Sequence, residues 1–133
     1  MAEPILYMGK SGTGKSTSLR NLDPASTIII QPNAKSLPFP GGDANFTKEK
    51  KNRLISNELD TIQGTIAHIS ANMPNIKCVV LEDFTHFFSA RIFSKKFMGM
   101  NSGNEAFQRW NVFGASVLVL YLHKLKTGEL ICT

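Results

Sequence analysis

The chain has 133 residues, a formal net charge of +5 and a sequence pI of about 9.4, and 42% of its residues are apolar. That length fits a single domain, residues 1–133, and the apolar share excludes a disordered chain. No apolar stretch reaches the ~20 residues of a membrane helix, and the two cysteines, Cys78 and Cys132, form no metal or disulfide pattern.

The modest basic bias suits a nucleotide or nucleic acid, and surface lysines explain it equally well. Met1-Ala2-Glu3-Pro4 lacks the basic start of a secretory signal, so the expected compartment is the cytoplasm.

The first element is the apolar run Ile5-Leu6-Tyr7-Met8, read as a buried strand over 5–8. It leads into Gly9-Lys10-Ser11-Gly12-Thr13-Gly14-Lys15-Ser16, which fits G-x-x-x-x-G-K-[ST]. A short helix over 15–21 follows and stops before Pro24. The spacing has a physical reason. A polyphosphate is held when many backbone N–H groups point inward at once. Glycines at 9, 12 and 14 let the chain curl around such an anion. A helix opening near Lys15 would add its unpaired N–H groups and positive dipole end. Lys15 would reach the β- and γ-phosphates, the Ser16 hydroxyl would ligate Mg²⁺, and Thr17 would assist near the α-phosphate. The bland alternative is a Gly/Ser turn that holds nothing; the strand–loop–helix setting weighs against it.

Ser26-Thr27-Ile28-Ile29-Ile30 reads as a second buried strand, 27–31. Residues 31–51 carry Pro32, Pro38, Pro40, Gly41 and Gly42 and read as a long surface loop. At its end Lys48, Lys50, Lys51 and Arg53 form a basic cluster. It is either a solvated charged loop or a contact for phosphates. Arg53-Leu54-Ile55-Ser56 reads as a short edge strand. A helix follows over 58–73, with Asn57 as its cap and Leu59, Ile62, Ile66, Ile69 and Met73 as one apolar stripe. His68 falls beside that stripe, as a boundary residue.

The second chemical signal is Ile76-Lys77-Cys78-Val79-Val80-Leu81-Glu82-Asp83, an apolar strand over 77–82 ending in two carboxylates. A strand buried on both faces delivers an acid at its carboxyl end, where ligands of open α/β sheets sit. By position Glu82 is the Mg²⁺-side acid and Asp83 the base that positions water, with the order of the two roles left open. A strand ending in an acidic turn is the bland alternative.

A helix over 84–97 then carries Phe84, Phe87, Phe88 and Phe93, with Arg91, Lys95 and Lys96 on another side. The crowded phenylalanines must be covered, by this chain or by a partner. A loop, 99–103, and a helix over 104–116 come next, with Phe107, Trp110 and Phe113 on one face, and with Arg109 as a surface residue or, in an oligomer, an arginine finger. Residues 117–122 read as a last strand, with His123 at its end, or as a continuation of that helix. Leu130-Ile131-Cys132 reads as a returning edge strand.

Several segments together carry a family resemblance. They are Met8 to Thr17, Leu19-Arg20-Asn21-Leu22, Lys35-Ser36-Leu37-Pro38, Glu82-Asp83-Phe84 and Phe107-Gln108-Arg109-Trp110. The pattern resembles the phage-encoded ATP-binding proteins of the RecA-like, AAA-type group, over roughly residues 4–116. The resemblance implies a three-layer α/β P-loop NTPase fold with a mainly parallel sheet. It also implies ATP and Mg²⁺ as ligands and ATP hydrolysis linked to single-stranded DNA recombination. It assigns Lys15 and Ser16 to the nucleotide and Glu82-Asp83 to the acid pair. Members of the group run longer after the region of Trp110, so the resemblance implies an incomplete fold, as either a naturally shortened member or a fragment whose tail has been replaced. The alternative is a non-catalytic relative that works by binding a host or phage protein, for example as an anti-CRISPR. A homo-oligomer fits either reading. Kinase-like transfer to a small molecule is a weaker third option, with no acceptor signature.

Overall fold

The computed structural model describes residues 3–92 and 129–132. Among these residues five strands form one sheet: β1 (Glu3–Leu6), β2 (Thr27–Gln31), β3 (Arg53–Ile55), β4 (Cys78–Leu81) and β5 (Glu129–Cys132). Their spatial order is β1-β5-β4-β2-β3, and every neighbouring pair is parallel. The helices are α1 (Gly42–Asn45), α2 (Leu59–Asn72) and α3 (Phe84–Ile92), with a 3₁₀ helix at Ser16–Asn21. The class is therefore α/β with a parallel sheet. Among the described residues no helix is long and apolar enough to cross a membrane.

Two apolar clusters explain why β2 and β4 are continuous rather than alternating runs. Side chains along a strand point to opposite faces in turn. Ile28, Ile30, Val79 and Leu81 pack on one face with Leu59, Ile62, Ile66, Ile69, Phe84 and Phe87 of α2 and α3. Ile29, Cys78 and Val80 pack on the other face with Leu19, Leu37, Phe39 and Phe46. Both faces are covered, as parallel sheets require.

The spacing along α2 matches its packing. Leu59, Ile62, Ile66 and Ile69 are buried, Met73 leans on the same cluster, and His68 is exposed. Its cap differs from the expected Asn57. Glu58 is the flanking residue, its N–H donates to Ser56 Oγ at 3.2 Å, and its carboxylate accepts from Thr61 Oγ1 at 3.0 Å.

Three further expectations change. The first strand lies at 3–6 rather than 5–8, so Tyr7 and Met8 belong to the loop. Residues 31–51 are not simply a surface loop. Leu37, Phe39 and Phe46 are buried against the sheet, and a short helix, α1, lies between them. Asn52, 6% exposed, staples this segment. Its Nδ2 donates to Pro24 O and Asn45 O, and its Oδ1 accepts from Thr47 N. Among the described strands β3 lies at the edge, as its sequence suggested, but β5 does not. β5 sits between β1 and β4, where an apolar strand finds partners on both sides. Chain order gave no access to that, because parallel strands are joined by crossovers that leave spatial order open.

The expected helix at 104–116, strand at 117–122, loop at 99–103 and end of the helix beyond Ile92 lie outside the described residues. Arg109 and His123 lie outside them too.

Candidate nucleotide site

All five strands run the same way, so their carboxyl ends meet along one side of the sheet. There β1 leads through Tyr7 and Met8 into the 9–16 loop, β2 ends in Gln31, and β4 is followed by Glu82 and Asp83. Between them lies a cavity of about 610 Å³, within the size range of small-molecule sites.

The loop supplies Gly9, Ser11, Gly12, Gly14, Lys15 and Ser16 to that cavity, and the turn after β4 supplies Glu82 and Asp83. Two segments far apart in sequence thus line one cavity. Lys10, Thr13 and Thr17 do not line it. The Lys10 carbonyl instead ties the loop, accepting from Thr13 N at 3.3 Å and Thr13 Oγ1 at 2.8 Å. Thr17 Oγ1 turns to Pro38 O at 3.4 Å.

The loop is curled by its own contacts. Gly12 and Gly14 adopt φ of +80° and +86°, a region costly for residues with a Cβ. A Cβ at Gly9 would stand 2.8 Å from Thr13 Oγ1, so that hydroxyl would have to turn away from its present place on the Lys10 carbonyl. Lys15 is half-buried, and its ammonium donates to Gly9 O at 2.8 Å and Lys10 O at 2.9 Å. An ammonium has three donors, so one remains for an anion. The following helix differs from the expected form. It is a six-residue 3₁₀ helix, anchored by the buried Leu19. Such a short segment adds little dipole, so the positive charge offered to the cavity at this point is that of Lys15.

The two acids occupy different surroundings. Glu82 is 3% exposed, and its N–H continues the sheet by donating to Ile30 O at 2.9 Å. Its Oε2 accepts from Gln31 Nε2. Asp83 is exposed and has φ of +58°, a left-handed conformation that Asp tolerates better than most residues. Its carbonyl accepts from His86 N at 2.9 Å, which starts α3.

A polar network reaches Glu82 from the edge of the sheet. Arg53 Nε donates to Gln31 Oε1 at 2.8 Å, and its two terminal nitrogens donate to Asp43 Oδ1 and Lys35 O, each at 2.6 Å. Arg53 therefore leaves the basic cluster in which the sequence placed it. Of that cluster Lys48, Lys50 and Lys51 are exposed, with Lys50 Nζ on Ala44 O. Asp43 is held below the usual carboxylate range by the Leu37 N–H, then by Arg53. Sequence reasoning passed over Gln31. Its one mark in the sequence is a polar residue ending a β-branched run, and that gains meaning only once β4 is known to lie beside β2.

The residues fit a Mg-nucleotide. Mg²⁺ favours one or two carboxylates together with phosphate oxygens and water, and Ser16 and Glu82 line one cavity with Lys15. No family model, no curated protein and no solved structure matches this chain.

Proposed function

We propose that the chain is a P-loop ATP-binding protein that hydrolyses Mg-ATP in the service of single-stranded DNA recombination, as a phage protein acting in the host cytosol. One observation carries most of the weight: Lys15 crosses the mouth of a glycine loop in the same cavity as a buried, hydrogen-bonded acid. The strand order adds support, because the loop strand β1 and the acid strand β4 flank β5 in a parallel sheet. Likeness to the RecA-like group rests on the residues quoted above.

In this reading the loop amides and Lys15 bind the β- and γ-phosphates. Ser16 and Glu82 hold Mg²⁺, and the more open Asp83 orients the attacking water. Bound Mg²⁺ would offset negative charge on the phosphate oxygens. Catalysis then comes mainly from positioning and charge.

The rival reading, a non-catalytic binder of another protein, drew on the crowded phenylalanines. Phe84 and Phe87 are core residues, which takes away part of that argument.

The test is ATP hydrolysis and binding, with and without single-stranded DNA, for wild type and Lys15→Ala. Hydrolysis by wild type, raised by DNA, is expected. ATP affinity should drop about 10- to 100-fold in the variant, the equivalent of one charge-assisted hydrogen bond. Equal binding by both proteins, or none by wild type, would rule this reading out.

A further inference from the structure

Glu82 is almost fully buried, and among the described residues its side chain is met by a neutral amide, with no cation in salt-bridge contact. That amide belongs to Gln31, 1% exposed at the end of β2. A buried carboxamide can turn over and present oxygen where nitrogen was. Here it cannot do so without loss. The guanidinium of Arg53 is a donor only, and it lies on the oxygen side at 2.8 Å. Two acceptors, Glu82 Oε2 and Lys35 O, lie on the nitrogen side. A turned amide would set oxygen against oxygen twice and N–H against N–H once.

Arg53 is fixed in its turn. Its side chain is 12% exposed and pairs with Asp43, while its other terminal nitrogen is on Lys35 O. The order is therefore Asp43 to Arg53 to Gln31 to Glu82. Each group holds the next, and the last faces the cavity. Partners of this kind, behind a ligating carboxylate, set its orientation.

We infer that Gln31 and Arg53 are positioning residues: Gln31 holds the Glu82 carboxylate in one orientation toward the metal side of the cavity, and Arg53 acts through Gln31 by fixing its amide. The inference rests on the reading of Glu82 as the Mg²⁺-side acid and adds two residues that the paired motifs do not contain. Its effect is on the metal, not on the grip of the loop on phosphate.

The experiment compares wild type with Gln31→Met, Arg53→Met, the double variant and the milder Arg53→Lys, each first shown to be folded by circular dichroism. Mn²⁺ replaces Mg²⁺ as the probe, and its affinity is read by electron paramagnetic resonance with a non-hydrolysable ATP analogue present. ATP affinity in EDTA is measured alongside. Gln31→Met should weaken Mn²⁺ binding about tenfold, the lower end of the range for such partners, with metal-free ATP affinity changed less than about twofold. Arg53→Met should show a smaller loss of the same sign. The double variant should be no worse than Gln31→Met alone, because Arg53 acts through Gln31. Where Arg53→Met does not fold, Arg53→Lys takes its place in the comparison.

Unchanged or tighter Mn²⁺ binding in Gln31→Met overturns the inference and leaves the ATP reading intact. Additive losses overturn the part given to Arg53. A wild type that binds no Mn-nucleotide overturns the ATP reading itself, and the inference goes with it.

Discussion

Lys15 does two things with one ammonium. It closes the loop by donating to Gly9 O and Lys10 O, and it keeps a third donor for an anion. Its usefulness depends on neighbours that have no side chains. Gly14, at φ of +86°, has open space around it, so an added Cβ would be penalised for backbone strain and not for collision. Gly14→Ala is expected to weaken ATP binding about tenfold, because roughly 1–2 kcal/mol of left-handed strain enters the curled loop. Titration with a fluorescent ATP analogue measures this, and an unchanged affinity would show that the curl is not what binds. At this scale the turns were legible, since Gly12 and Gly14 take the left-handed φ that the glycine spacing suggests, while the outward placing of Lys10, Thr13 and Thr17 was not. Gln31 was not legible. A glutamine at the end of an apolar run has no meaning until the strand beside it is known.

Among elements, the segment between β2 and β3 departs furthest from its sequence. Prolines and glycines mark it as irregular, and it is irregular. It also delivers Leu37, Phe39 and Phe46 to one face of the sheet. The apolar residues there have no period, so no pattern announces their burial. Asp43 fastens this segment, accepting from Leu37 N at 3.2 Å and pairing with Arg53. Its folded pKa lies below the ordinary Asp value of about 3.9. Its contribution to stability is therefore present above that ordinary value, and it fades as pH falls through the lower folded one. Thermal melts of wild type and Asp43→Asn should differ at neutral pH and converge in acid. A gap that stays constant down to the lowest pH would deny the carboxylate this role. By contrast α2 was plain from its residues, because Leu59, Ile62, Ile66 and Ile69 recur at helical spacing and all four are buried.

The molecule as a whole places two chemical segments at one side of a parallel sheet. A ligand held by both ties the loop after β1 to the turn after β4, so it stabilises only the folded arrangement. Mg-ATP at a hundredfold excess over its Kd should add about 2.7 kcal/mol. A rise in melting temperature is expected for wild type and a much smaller one for Lys15→Ala at the same concentration. Equal shifts in the two proteins would place the nucleotide elsewhere. The sheet also shows where chain order misleads. Leu130-Ile131-Cys132 looks like a trailing edge strand, but β5 is flanked by β1 and β4.

By itself the sequence determined the α/β class, the strands at 27–31 and around 78–81, the α2 stripe, and the glycine-rich and acidic segments on which the proposed function rests. These are local properties: periodicity, turn residues and charge are written in adjacent positions. Only the tertiary structure decided which strands are neighbours, that residues 31–51 cover a sheet face, and that Gln31 and Arg53 stand behind Glu82. Those contacts join positions as far apart as Gln31 and Glu82, and a hydrogen bond across that separation exists only once the chain has folded.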